Sequence, residues 1–197
     1  TNLPLLKYIA SKNKPIILST GMANLGEVEE AINTIYETGN NKLILLHCTS
    51  NYPTAYEDVN LRAMLTMKEA FKLPVGYSDH TIGIEVPIAA VTLGAKVIEK
   101  HFTLDRKMEG PDHRASLEPD ELKMMVKSIR NIEKAMGDGI KRCSKSEENT
   151  KSVARKSIVA GRDINKGEVI TIKDISFKRP EFGLKPKYIN LIIDKKA

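Results

Sequence analysis

Val97-Ile98-Glu99-Lys100-His101-Phe102-Thr103 is the stretch on which the fold turns. It follows a helix-like run that ends at Gly94, and it reads as a strand. Side chains alternate between the faces of a strand, which puts Glu99 and His101 on one side and Ile98, Lys100 and Phe102 on the other. An acid and an imidazole at the end of a strand are costly to bury unless a metal, a substrate or a partner satisfies them. Val75-Gly76-Tyr77-Ser78-Asp79-His80 ends in the same way, with Ser78 and His80 on one face. A single interior histidine is as readily a hydrogen-bonded structural group. Two matched strand endings in succession favour a site.

Outward from these two stretches the pattern repeats. Leu3–Ala10 is an amphipathic helix candidate. Pro15-Ile16-Ile17-Leu18-Ser19-Thr20, closed by Gly21, is an apolar run of the kind found in buried parallel strands. Asn24 can cap the following helix, with Glu27 as its capping-box partner, and that helix stops at Gly39. Leu43–Thr49 is the next strand, and a helix over 61–71 follows. After the Ser78/His80 strand come a helix over 85–93 and the Glu99/His101 strand. A loop with Gly110-Pro111-Asp112-His113 leads into a long helix, Pro119–Met136, ending at Gly137. Strands and helices alternating in this way imply a parallel sheet with crossover helices. Ser19, Thr49, Ser78, His80, Glu99 and His101 all fall at C-terminal strand ends, where the sites of α/β barrels and open α/β sheets lie. Four βα units make half of an eight-stranded barrel, and a free-standing half leaves sheet edges unpaired, so about four further units are expected to precede Thr1.

Residues 139–152 are polar and read as a linker between a half-barrel over 1–138 and a small β-rich module over 153–197. In that module Ser157–Ala160 and Val169–Thr171 are strand candidates, split by the turn Asn165-Lys166-Gly167. The fold class expected is therefore α/β, the C-terminal half of a (β/α)₈ barrel, followed by an incomplete β-rich domain.

Composition narrows the partners. The 197 residues are 41% hydrophobic and 28% charged, as in ordinary globular proteins, and no apolar run is long enough for a membrane span. The net charge of +6 is uneven, with −2 over residues 1–140 and +8 over 141–197. The basic tail has few aromatics and no nucleic-acid motif, so a solvated surface or a wall for an anionic small molecule is the better reading. Cys48 and Cys143 are far apart and in no metal-ligand spacing, which makes a reducing, cytoplasmic setting the default.

Two neutral imidazoles leave open positions on a divalent ion for substrate and water, and such an ion acts as a Lewis acid on a carbonyl. Mn²⁺ or Mg²⁺ suits a carbonyl- or phosphate-bearing substrate, with Zn²⁺ the alternative. His80 and His101 are the candidate ligands. With Glu99 they are the candidate catalytic residues. A hydrolytic site of the amidohydrolase type would want a His-x-His pair on an early strand.

The runs KPIILSTGM, LLHCTSNYPT, GYSDHTIG, VIEKHFTLD and GPDHRASLEPDEL resemble the sialic acid (N-acetylneuraminate) synthase family and its legionaminate and pseudaminate relatives. The tail SIVAGRDINKGEVIT, followed by KRP, resembles that family's antifreeze-like (SAF) domain. The resemblance implies condensation of phosphoenolpyruvate with an N-acetylated hexose of the N-acetylmannosamine type, giving a nonulosonic acid and phosphate. It implies a metal, Mn²⁺ first, on His80 and His101. It implies sugar contacts from Glu99, Asp112 and Tyr52, phosphoenolpyruvate contacts from Ser19 and Ser78, and another polar substrate contact at Ser50, with Asn51 the alternative. It also implies a domain-swapped homodimer in which Arg179 reaches the partner's site and meets the N-acyl group.

This sequence departs from the family pattern at Glu181-Phe182-Gly183, where small residues around a G-x-G are usual, and at Asp194, where glycine is common. The family's catalytic glutamate and phosphate-binding lysines belong to earlier strands, so the chain alone is expected to be inactive. A non-catalytic relic that binds carbohydrate or a partner is the competing class. Retention of both histidines, Glu99 and Asp112 speaks against it. His47 is expected as a structural hydrogen-bonder, Cys48 as packed against a helix, and His113 as loop surface. Asp79 is left open between support of the site and a helix contact.

Overall fold

The computed structural model describes residues 2–197. The chain divides into two compact units, one running through Asp138 and the other spanning Gly139–Ala197.

In the first unit, β1 (Ile16–Ser19), β2 (Leu43–Cys48), β3 (Val75–Asp79) and β4 (Ile98–Lys100) form a parallel sheet in the order β1-β2-β3-β4. The helices are α1 (Leu3–Ala10), α2 (Leu25–Tyr36), α3 (Arg62–Phe71), α4 (Glu85–Thr92) and α5 (Pro119–Met136). This is the expected α/β half-barrel. The capping box of α2 forms as read: the Glu27 amide donates to Asn24 Oδ1 at 3.0 Å, and the Asn24 amide donates to Glu27 Oε2 at 2.8 Å.

Register decides which residues face the helices. Ile16, Leu43, Leu45, Val75 and Tyr77 pack against Val28, Ile32 and Ile35 of α2, Met64 and Met67 of α3, and Val86 and Ala90 of α4. A smaller cluster joins Leu117 to Met125 and Ile129 of α5, with Ile88, Val91 and Ile98 against it. These apolar rows alternate with a second face on which Ser19, Leu46 and Gly76 are aligned, as are Cys48, Ser78 and Glu99. On this second face Ile17 is 54% exposed. Gly76 is a steric requirement there. A Cβ at this position would lie 2.3 Å from the Val97 carbonyl oxygen and 2.6 Å from Leu46 Cδ2, so only glycine lets β4 come alongside β3.

The strands are shorter than the sequence suggests. β3 stops at Asp79 and β4 at Lys100, leaving His80 and His101 just beyond them. The cause is competition for backbone groups. The His80 carbonyl accepts from the Thr54 amide, and the His101 carbonyl accepts from the Leu117 amide, each at 2.9 Å. Loops thus take the bonds that would have continued the ladder.

The second unit corrects two readings. The stretch 139–152, read as a linker, carries a 3₁₀ turn at Lys145–Glu147 and most of a helix, α6 (Glu148–Ala154). The Ser144/Glu147 capping box starts this segment, a signal that the apolar period does not reveal. Likewise, β5 (Ser157–Ala160) pairs antiparallel with β6 (Ile175–Lys178), not with Val169–Thr171. The turn at Asn165 does form, but Val169 makes only an isolated bridge, to Lys196. Asp174 is the reason. Its carboxylate accepts from the Thr171 amide and hydroxyl at 2.8 and 2.7 Å and from Arg162 Nε at 2.7 Å, which turns the chain after Thr171.

The Thr171 hydroxyl and amide, followed by the Arg162 guanidinium, hold the Asp174 carboxyl down at about 2. A carboxyl depressed on folding contributes stability above its unfolded value, about 3.9, and that contribution disappears as pH falls toward the folded value. The Gly161 amide donates to the Asp174 carbonyl at 2.7 Å and reports on this turn. Its hydrogen-exchange protection should drop as pH falls from about 4 toward 2. In Asp174→Asn, protection should already be reduced at neutral pH, with the acid-dependent step gone.

Candidate active site

The C-terminal ends of β3 and β4 carry the site side chains. Ser78 Oγ donates to Glu99 Oε1 at 2.6 Å across the shared face. His80, 5% exposed, places Nδ1 2.7 Å from the Thr49 carbonyl oxygen. A carbonyl only accepts, so Nδ1 carries a proton, and in the neutral ring it is Nε2 that has the lone pair. The ring of His101 lies 5.3 Å from that of His80, at 69°. Tyr52 closes this ring cluster, 4.1 Å from His80 and 5.4 Å from His101. Burial, with smaller pushes from Cys48, Asp112 and Glu99, raises the Tyr52 phenol above its ordinary value and keeps it a donor at neutral pH. Asp112 Oδ2 is 3.8 Å from His101 Nδ1, an electrostatic contact longer than a hydrogen bond.

Ser19 ends β1, exposed and on the same face. Ser50 lies close to it in the fold, against Gly21: a Cβ on residue 21 would sit 2.1 Å from Ser50 Oγ and 3.4 Å from Cys48 Sγ. Glycine at 21 therefore leaves the space that the Ser50 hydroxyl occupies. The structure thus gathers His80, His101, Tyr52, Ser78, Glu99 and Asp112 around adjoining strand ends, with Ser19 and Ser50 at the ends of β1 and β2. Arg179 belongs to the second unit, where it is exposed directly after β6.

Among the other side chains, His47 is a structural hydrogen-bonder, with Nε2 2.8 Å from the Val59 carbonyl and its ring 5.7 Å from Tyr77 on the helix side. Cys48 is a correction. It faces away from His47 as read, but it is His47 that meets the helix side. Register places Cys48 beside Ser78, and its sulfur is 3.8 Å from His80 Nδ1. His113 is a second correction: it is half-buried, with Nδ1 2.7 Å from the hydroxyl of buried Thr103, which ties the Asp112 loop to the end of β4. The residues that the sequence reading missed are Cys48 and the Thr49 carbonyl that fixes the His80 tautomer. Strand parity, had β2 been anchored to β3 through Gly76, would have found Cys48.

Among the described residues, no group of three or more His, Cys, Asp or Glu side chains is arranged to hold a metal. The donor set that could take a divalent ion is His80 Nε2 with the His101 imidazole. Any further ligands would have to come from substrate or water. The Thr49 carbonyl behind His80 is the kind of partner that orients a metal-binding imidazole.

A βα half-barrel with histidines, carboxylates and hydroxyls gathered at its strands' carboxyl ends has the layout of an α/β-barrel active site. The chain belongs to the NeuB family, whose model matches residues 1–141, and a SAF domain matches residues 155–197. It is 60% identical to the N,N'-diacetyllegionaminic acid synthase of Campylobacter jejuni over 93% of this chain and 56% of that protein. It is 39% identical to the human N-acetylneuraminate-9-phosphate synthase over 100% of this chain and 55% of that one. Among solved structures, the N-acetylneuraminic acid synthetase of Leptospira borgpetersenii, in complex with citrate, superimposes with a TM-score of 0.69 at 41% identity, over 76% of this chain and 52% of that one. The chain spans about half the length of the curated relatives it matches. No described helix is long and apolar enough to cross a membrane.

The two thiols should separate cleanly. Burial, above all, raises the Cys48 pKa, so little thiolate forms there, whereas Cys143 is exposed. A disulfide-exchange reagent at pH 8 should titrate one thiol rapidly and the second only on denaturation. Cys143→Ser should remove the fast phase.

Proposed function

We propose that this chain carries the sugar- and metal-binding part of a nonulosonic acid synthase, which joins phosphoenolpyruvate to an N-acylated hexose and releases phosphate. The observation that carries this reading is the pairing of Ser78 with Glu99 beside the His80/His101/Tyr52 ring cluster. A hydroxyl suited to an anionic substrate and a carboxylate suited to sugar hydroxyls are thereby held in contact. In the reaction, the enol carbon of phosphoenolpyruvate bonds to the sugar's aldehyde carbon. Water adds to the resulting oxocarbenium carbon, and the bond to phosphate breaks.

Within this reading, Ser19 donates to phosphoenolpyruvate, whose phosphate and carboxylate need donors, Ser78 does so once its hydroxyl turns from Glu99, and Ser50 supplies a further polar contact. Glu99 and Asp112 accept from the sugar's hydroxyls and fix its orientation. Tyr52 covers the sugar with its ring. His80 and His101 would hold a divalent ion, Mn²⁺ first and Mg²⁺ second, which would supply Lewis acidity toward the sugar carbonyl. The 60% identity to a legionaminic acid synthase, against 39% to the human N-acetylneuraminate-9-phosphate synthase, favours a sugar leading to N,N'-diacetyllegionaminic acid over one of the N-acetylmannosamine type. Two free cysteines accord with a cytoplasmic enzyme.

Phosphate release from phosphoenolpyruvate, measured in the full-length protein with a panel of N-acylated hexoses, tests the reading. His80→Ala and His101→Ala should each cost about a hundredfold or more while far-UV dichroism is unchanged. Chelation should abolish turnover and Mn²⁺ should restore it. Undiminished turnover of both variants in a chelator would exclude the assigned roles.

The same reading includes a homodimer in which Arg179 of the partner subunit meets the N-acyl group. Mixed Arg179→Ala and His101→Ala subunits should then recover about half of wild-type turnover per hybrid dimer, because one of its two sites is intact. Absence of recovery after demonstrated subunit exchange would remove Arg179 from the site.

A further inference from the structure

Behind the site, on the helix-facing side of the sheet, lies a charged pair that the reaction does not use. Lys100 Nζ donates to Asp79 Oδ2 at 2.6 Å and to the Thr81 carbonyl at 2.5 Å. The two side chains are 2% and 0% exposed. Asp79 in turn accepts from the Thr81 amide at 3.0 Å and from its hydroxyl at 2.9 Å. Each charge is fully enclosed, and each has more than one hydrogen-bond partner.

Three facts connect this pair to the histidines. First, Asp79 and Thr81 are the residues on either side of His80, and the Lys100 ammonium grips both. Second, Lys100 is bonded in sequence to His101 and Glu99. Third, β3 and β4 share only three register pairs, Tyr77↔Ile98, Ser78↔Glu99 and Asp79↔Lys100. So short a ladder specifies register weakly, and a slip of one residue would turn every side chain to the opposite face. A buried ion pair is a poor source of net stability, since apolar residues of the same volume often do as well. A registering role is the best-attested reason for retaining one.

We propose that Lys100 is a positioning residue: its ammonium, bound to Asp79 and Thr81 on the far side of the sheet, fixes the spacing and orientation of His80 and His101. The consequence for divalent-ion binding rests on the proposed metal role of the two histidines. The consequence for the His80 ring does not. Without the clamp, the loop at 79–81 relaxes and His80 Nδ1 no longer holds its 2.7 Å bond to the Thr49 carbonyl.

The test uses Lys100→Met, the neutral double variant Asp79→Leu/Lys100→Met, and Lys100→Arg, in the full chain. Stability by thermal unfolding, the His80 tautomer by ¹⁵N NMR, and Mn²⁺ affinity by electron paramagnetic resonance are read on each. The expected result is that the double variant unfolds near the wild-type temperature. Its His80 should show mixed tautomers, and Mn²⁺ should bind at least tenfold more weakly. Lys100→Arg, with a larger head in the same enclosed space, should fold and show the same change in smaller degree. It keeps the test decisive if both methionine variants fail to fold. A folded double variant, or failing that a folded Lys100→Arg, with an unchanged tautomer and unchanged Mn²⁺ affinity would overturn the proposal. If His80→Ala binds Mn²⁺ as well as wild type, the metal role of His80 falls, and the tautomer alone decides for or against Lys100.

Discussion

The pairing of β3 with β4 is the constraint on which the site depends. Only three residue pairs hold these strands in register, and loops take over the backbone groups at the carboxyl end of the ladder. Within that short contact both faces are pinned by polar side chains: Ser78 to Glu99 on one, Asp79 to Lys100 on the other. Gly76 makes the approach possible, because any Cβ there would strike the Val97 carbonyl. The histidines follow immediately, so their separation is inherited from the register and not from contacts of their own. Their rings meet only at 5.3 Å.

The two faces of this sheet divide the labour by dielectric. On the helix side, apolar burial excludes water, and the Asp79–Lys100 pair is enclosed and hydrogen-bonded, the condition under which a buried charge can be kept at all. On the other face the carboxylates of Glu99 and Asp112 and the hydroxyls of Ser19 and Ser50 stay near solvent. Groups there can exchange water for a ligand without leaving a buried charge unpaired. The His80 ring sits at the border: its Nδ1 is committed to the backbone and its Nε2 is left uncommitted.

The sequence made the α/β class legible because strand runs and helix periods alternate without interruption from Ile16 to Met136, and the strand-end polar residues then located the site. The failures are equally physical. In β2, His47 and Cys48 are both plausible on either face of an almost wholly apolar strand, so only pairing to β3 could settle which faces the site. Asp79 and Lys100 lie 21 residues apart, and opposite charges at matched positions of two strands become visible only once the register is known. In the second unit, Val169–Thr171 has the composition of a strand, but Asp174 captures the Thr171 amide and hydroxyl and ends it. Tertiary hydrogen bonding there overrides β propensity. The family resemblance read from five ordered motifs is upheld by the family match over residues 1–141.

The order β1-β2-β3-β4 has a bearing on how the first unit assembles. Each of β2, β3 and β4 pairs with its immediate predecessor in the sequence, so each new βα segment meets an edge that is already formed. Loop closure at each step spans only one crossover, which keeps the entropic cost of every addition similar and modest. The sheet can therefore grow in the direction of synthesis, one segment at a time. The pairing with the fewest register pairs, β3 with β4, joins the last two strands of this sheet to be synthesised, so both histidines are carried by its latest segments.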